Sequence, residues 1–319
     1  MEYGTSIKSN GGNIVMGGGS CTSAGCSAAA YGTGSAGIKI DDNDWGAISI
    51  NSGNGTIWMW GSASAGNAGI HFKNATLNSG TAGSINLKGS GSFDAGSGQD
   101  YNGHGLFFKN SSATAGSGGM TLTGIAADGG MTSTKAISLT GDGSKVYTTN
   151  SGAMTVTATN DYAGGFIATE SSGDMLGHAT LQSGNITLNF STAGTTTGGL
   201  PNIANPAGNL TVNAQASTQG ISDGGNTQTI SGTTTIDANN LSVSLNNGNF
   251  TTGTLTISNA RAIEVTNGGA LTVGAIAGGT DPISISTKTG NLTLTGAIET
   301  TSNSNDALIL NAGKNTAAG

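Results

Sequence analysis

Along most of the chain, apolar and polar residues alternate one by one in short runs that open after a glycine. Gly-Ala-Ile-Ser-Ile stands at 46–50, Gly-Ser-Ile-Asn-Leu at 83–87, Gly-Gly-Met-Thr-Leu at 118–122 and Gly-Ala-Met-Thr-Val at 152–156. The pattern returns at 184–188, 208–212, 253–257, 269–273 and 290–294. Alternation with a period of two, bounded by Gly and Asn, predicts strands with one buried and one wet face. Runs with the 3.6-residue period of a helix are almost absent, so the chain is expected to be all-β with almost no α-helix. A second strand type is interleaved with the first: Ala-Gly-Ile-Lys-Ile-Asp-Asp at 36–42, Ala-Gly-Ile-His-Phe-Lys-Asn at 68–74 and His-Gly-Leu-Phe-Phe-Lys-Asn at 104–110. Aligned, the two types define an internal repeat of roughly 30–36 residues with two strands each. So narrow a unit cannot bury its apolar side alone; stacking like residues on like in successive repeats can. The expected fold is therefore a right-handed parallel β-helix, a β-solenoid, running as one continuous segment over 1–319. Pro201 and Pro206 interrupt the pattern and suggest an extruded loop near 198–208.

Composition narrows this further. With 57 glycines, 3 prolines and only 8% charged residues, the chain has the turn and strand formers of a solenoid and too little charge for a disordered segment. Glycine does not fall at every third position, which excludes collagen. A propeller would need about four strands per 40 residues, and an immunoglobulin-type sandwich longer, aromatic-rich strands. The net charge of −7 and the scattered lysines leave no basic patch, so nucleic acid is not an expected partner. No run approaches the roughly 18 apolar residues of a membrane helix, and membrane insertion is not expected. Residues 1–20 lack the apolar core of a signal peptide, so an export signal is expected outside this stretch.

Candidate chemistry is thin. Trp58 and Trp60 in Gly-Thr-Ile-Trp-Met-Trp-Gly align with Asn86 and Lys88, which places both rings outward on one strand, about 7 Å apart by two strand rises. Flat rings at that spacing suit stacking on sugar faces or on another protein; the alternative is cover by a loop. Cys21 and Cys26 stand in a Gly/Ser-rich stretch, either bridged, as suits an exterior compartment, or as two free thiols. Asp41, Asp42 and Asp44, followed by Trp45, form the densest acidic cluster, but they match no calcium-loop pattern and Asp42 falls on the turn position of Asn74 and Asn110. No metal and no cofactor is expected. Gly103-His104-Gly105 is similar to the Gly-His-Gly of polygalacturonases and Asp41-Asp42 to their paired carboxylates, yet no Arg-x-Lys follows and the single arginine is Arg261. His71 and His178 have no nucleophile in a recognisable setting and are expected on the surface. Outward threonines such as Thr155, Thr157 and Thr293 raise ice binding, although the strand spacing is too irregular for a planar ladder.

The phrases Gly-Asn-Leu-Thr-Leu, Gly-Asn-Leu-Thr-Val and Gly-Asn-Ile-Thr-Leu, with the closing stretch 306–314, resemble the β-helical stalks of filamentous-haemagglutinin-like adhesins, the passengers of two-partner secretion. The likeness covers most of the chain and is clearest in 180–319. Only Asn205-Pro206-Ala207 approaches the Asn-Pro-Asn motif of that family's secretion domain, which favours an interior piece. The resemblance implies passage through an outer-membrane transporter, an extracellular place on the bacterial cell surface, and a non-enzymatic part in attachment or biofilm formation. The partner would be a glycan or protein of a host or neighbouring cell. The alternative is a β-helix that binds or degrades polysaccharide.

Overall fold

A strand with one apolar face persists only when that face is covered and its backbone edges are paired. The computed structural model describes residues 4–313 apart from 23–24, 33–34, 42–46, 96–101, 128–133, 142–144, 149–151, 161–166, 171–179, 192–197, 206–207 and 215–219. Among the described residues there is no helix, and almost every strand pairing is parallel. The chain divides into two compact units, Met1–Gly184 and Asn185–Gly319.

In the first unit the strands form three parallel ladders. The first joins Ser6–Lys8, Ile48–Asn51, Ala75–Asn78, Ser112–Ala115, Lys145–Thr148 and Thr180–Gln182. The second joins Ile57–Ala63, Ile85–Ser90, Met120–Ala126 and Ala153–Asn160. The third joins Ile38–Asp41, Ile70–Lys73, Leu106–Lys109, Ile137–Thr140 and Ile167–Glu170. The chain visits first, second and third ladder in turn and then returns to the first. Three strands per repeat correct the expectation of two. Ile48–Asn51 belongs to a different ladder from Ile85–Ser90, although their sequences look alike. The unforeseen strand follows a corner made at Asn74 or Asn110, whose φ of 51° and 48° lie in the left-handed region that Asn tolerates. With so short a corner, 70–78 reads as one run.

Register explains the alternation. Ile57, Ile85, Met120 and Met154 are Cα partners in succession, all buried, as are Met59, Leu87, Leu122 and Val156. In the third ladder Phe72 stacks on Phe108 with ring centroids 4.8 Å apart. Turns are tied in the same way: Asn54 Oδ1 accepts from Thr81 N at 2.8 Å and from Ala82 N at 3.1 Å. One close approach demands glycine. A Cβ on Gly89 would lie 2.1 Å from the Gly105 carbonyl oxygen, where the second ladder nears the third.

The second unit carries the same pattern on a shorter repeat. Leu188, Val212, Ile236, Ile257, Ile276 and Ile298 are successive partners. Register partners lie 18 to 25 residues apart here, against 27 to 43 in the first unit. Two strands, Gln228–Leu245 and Phe250–Asn267, run 18 residues each and pass the corners by shifts of register and by left-handed Asn239, Asn240 and Asn259. Within 198–208 the described residues are packed and not extruded: Leu200 and Ile203 are buried, and Ile203–Asn205 pairs with Gln228–Leu245.

Candidate functional site

Among the described residues, the outward face of the second ladder holds the one concentration of aromatic side chains on a polar sheet face. On Ile57–Ala63 the odd-numbered positions are buried, and the even-numbered Trp58, Trp60 and Ser62 face out. Trp58 pairs with Asn86 and Trp60 with Lys88, as the repeat alignment anticipated. Both indoles are half-buried. Lys88 lays its ammonium over the Trp60 ring, with Nζ 4.2 Å from the centroid, so its apolar stem covers indole while its charge stays at the surface.

The other edge of this strand is unusual. Ile14–Met16 pairs with it up to Met16 opposite Met59, and pairing resumes with Ala30 opposite Gly61. Residues 17–29 thus stand where a regular ladder has the single residue opposite Trp60. They contain a hairpin, Gly18–Thr22 against Gly25–Ala28, antiparallel. Cys21 and Cys26 are Cα partners across it; their side chains lie outside the described residues. Directly opposed strand residues have a Cα separation within the range a disulfide spans. Gly18 shapes the hairpin base, since a Cβ there would meet the Ala29 carbonyl oxygen at 2.2 Å. Where the chain rejoins the ladder, Tyr31 pairs with Ser62 and is 69% exposed, the most exposed of the large apolar side chains described. Tyr31, the contact of the Lys88 ammonium with the Trp60 ring and the placing of the hairpin escaped sequence reading. The signal was there for Tyr31, the only aromatic in the Gly/Ser/Ala-rich stretch 17–37.

The remaining candidates that the structure describes are engaged in ion pairs or packing. Asp41 is an ion-pair partner on the third ladder, its carboxylate 3.2 Å from Lys39 Nζ and 3.7 Å from Lys73 Nζ. Asp42, Asp44, Trp45 and His178 lie outside the described residues. His104 is buried, accepts a hydrogen bond at Nδ1 from Lys135 N at 2.9 Å and stacks on Phe107. His71 was expected at the surface and is instead 1% exposed, edge-on to Phe107 with centroids 5.2 Å apart. Burial holds its pKa down at about 4; the Asp41 carboxylate opposes this and the neighbouring lysines add to it. The correction has a general cause, because His71, Phe107 and Ser138 form the outward column of the third ladder and all three are buried. At these three strands the ladder is covered on both faces, whereas Lys39, next in the column, is exposed. The consecutive apolar run Leu106-Phe107-Phe108 is the sequence mark of it.

Among the described residues no group of three or more His, Cys, Asp or Glu side chains is placed to hold a metal ion, and no helix is long and apolar enough to cross a membrane. The chain matches no family model, no curated protein and no solved structure.

Proposed function

We propose that both units are right-handed parallel β-helices and that the chain serves as a structural and adhesive segment of a large secreted bacterial surface protein. The observation that carries this is the register: in all three ladders like side chains stand beside like from repeat to repeat. A path that leaves a ladder, crosses two others and returns parallel to itself is a crossover connection, for which the right-handed sense is the rule. Such an architecture fits a spacer, since each repeat needs only its neighbours and no cofactor. The likeness of the repeated phrases to filamentous-haemagglutinin-like stalks supports an extracellular place on the cell surface, export through an outer-membrane transporter, and attachment or biofilm formation as the role. A non-enzymatic reading is favoured because Asp41 is engaged by two lysines and His71 and His104 are buried.

Two measurements test it together. High-resolution electron microscopy of the purified chain should show, within each unit, right-handed coils whose parallel strands stack across the coil axis. Beads coated with the chain should attach to cells where beads coated with an inert protein do not. Left-handed coils, or neighbouring coils whose strands run in opposite directions, end the architectural half, and equal attachment of both bead types ends the adhesive half.

A further inference from the structure

The Trp58–Trp60 face has a chemical asymmetry. Its described outward residues on neighbouring strands are Val15, Tyr31, Ser62, Asn86, Lys88, Ser90, Thr121 and Thr123, and of these Lys88 alone is charged. The Lys88 ammonium lies over the Trp60 ring, and among the described residues no carboxylate pairs with it. A cation laid on an indole, beside a second indole and amid hydroxyls and an amide, complements a ligand with an apolar ring face, several hydroxyls and one negative charge per ring. The face is a flat sheet and not an apolar pocket, which suits a chain of sugar rings better than an inserted peptide side chain. The hairpin is inserted at the edge of this strand, between the pairings of Met59 and Gly61 that flank Trp60.

We infer that this face binds a carboxylated polysaccharide, a polymer of uronic acid residues. A sugar ring lies on Trp58, the next carboxylate meets Lys88 above Trp60, and Tyr31 extends the platform across the strand edge. This rests on the adhesive reading and names the chemistry of its partner.

The test is electrophoresis of the intact chain through gels containing polygalacturonate, neutral dextran or dextran sulfate, with quenching of tryptophan fluorescence as a second readout. Trp58 and Trp60 face outward, so Trp58→Ala and Lys88→Gln leave the core intact; circular dichroism verifies this. Polygalacturonate is expected to retard the parent chain, with affinity reduced about tenfold or more by Trp58→Ala and by a similar factor by Lys88→Gln. Retardation by dextran that is indifferent to Lys88→Gln overturns the acidic assignment and leaves the adhesive reading standing. Binding to dextran sulfate and polygalacturonate alike, dependent on Lys88 and indifferent to Trp58→Ala, is simple ion exchange and also overturns it. Absence of retardation in all three gels overturns the site, while attachment of coated beads is read separately.

Discussion

The two units solve the same packing problem with different amounts of chain. In the first, equivalent residues such as Ala75 and Ser111 are 36 apart, and the surplus over three short strands goes into corners and insertions. In the second, the register partners Thr254 and Thr272 are 18 apart, and strands of 18 residues run through the corners. Every feature with chemical character described above, the tryptophan pair, the hairpin, the doubly covered ladder and its buried histidines, belongs to the longer repeats. In the shorter repeats the corners are held by buried amides: Asn267 Nδ2 donates to the Gly269 and Ala270 carbonyls at 3.0 and 3.1 Å, and its Oδ1 accepts from Thr252 N at 2.8 Å. Surplus chain gives the longer repeats room for insertions such as the hairpin.

The largest effect should come from removing one layer of core in each unit. Phe108→Ala takes a fully buried ring from a stacked pair in the first unit and should cost about 3–5 kcal/mol, and Ile257→Ala in the second about 2–5 kcal/mol. All three tryptophans, Trp45, Trp58 and Trp60, are in the first unit, so tryptophan fluorescence follows that unit while far-ultraviolet circular dichroism follows both. In urea unfolding, Phe108→Ala should move the fluorescence transition and Ile257→Ala chiefly the remaining dichroism. If both variants shift both signals equally, the two units are one cooperative body.

Acid separates the units next. The His71 pKa is about 4 in the folded chain and 6.5 when exposed. Above pH 6.5 both states are neutral at this site and it contributes no pH dependence. As pH falls from 6.5 towards 4 the unfolded chain takes up a proton that the folded chain refuses, so stability falls by roughly 3 kcal/mol over that window and no further below it. The charged groups that face His71 are Asp41, Lys39, Lys73 and Lys109. The difference between parent and His71→Leu isolates the histidine: the fluorescence-detected loss between pH 6.5 and 4 should shrink in the variant. An unchanged acid limb would show that His71 is readily protonated in the folded chain.

How much of this was legible in the sequence depends on side-chain size and corner length. The nine glycine-led runs all fall on strands, and pairing Trp58 with Asn86 and Trp60 with Lys88 needed only alignment. Ser112–Ala115 was invisible because Ala113 and Ala115, though fully buried beside Leu77 and Val146, are too small to mark a core position. The length of the two long strands of the second unit was not legible because Gly253 and the Asn239-Asn240 pair look like chain breaks, while the backbone bends there and goes on pairing, Gln228–Leu245 passing from Ile203–Asn205 to Leu210–Ala214 to Ile221–Ser222. The place of the hairpin could not be read at all. Its meaning depends on Met16 and Ala30 resuming one ladder across 13 intervening residues, 17–29, a relation that exists only once Ile57–Ala63 lies beside them.

A third contrast concerns overpacking. Gly61, Gly89 and Gly124 are register partners in the second ladder, and Ala158 continues their column. Gly89→Ala places a methyl against the Gly105 carbonyl, a backbone atom that cannot swing aside, and should cost about 1–3 kcal/mol. Gly269→Ala in the second unit meets nothing within 4 Å and should be neutral within about 0.5 kcal/mol. Equal melting temperatures for the two variants would mean that the second and third ladders are free to separate at Gly89.

The smallest effect tests how the second unit turns its corners. Asn259 has φ 54° in the middle of an 18-residue strand, is exposed, and donates from Nδ2 to Asp237 Oδ1 at 3.0 Å in the preceding repeat. Asn259→Val forces a β-branched residue into the left-handed region and should cost about 1–2 kcal/mol. Asn259→Gly keeps that conformation without strain and loses one exposed hydrogen bond, so its cost should stay near or below about 1 kcal/mol. The backbone conformation carries the corner if valine is clearly the worse of the two in thermal unfolding. If glycine is as damaging as valine, the amide bond to Asp237 holds the corner, and the second unit then relies on side-chain ladders just as the Asn54 turn of the first unit does.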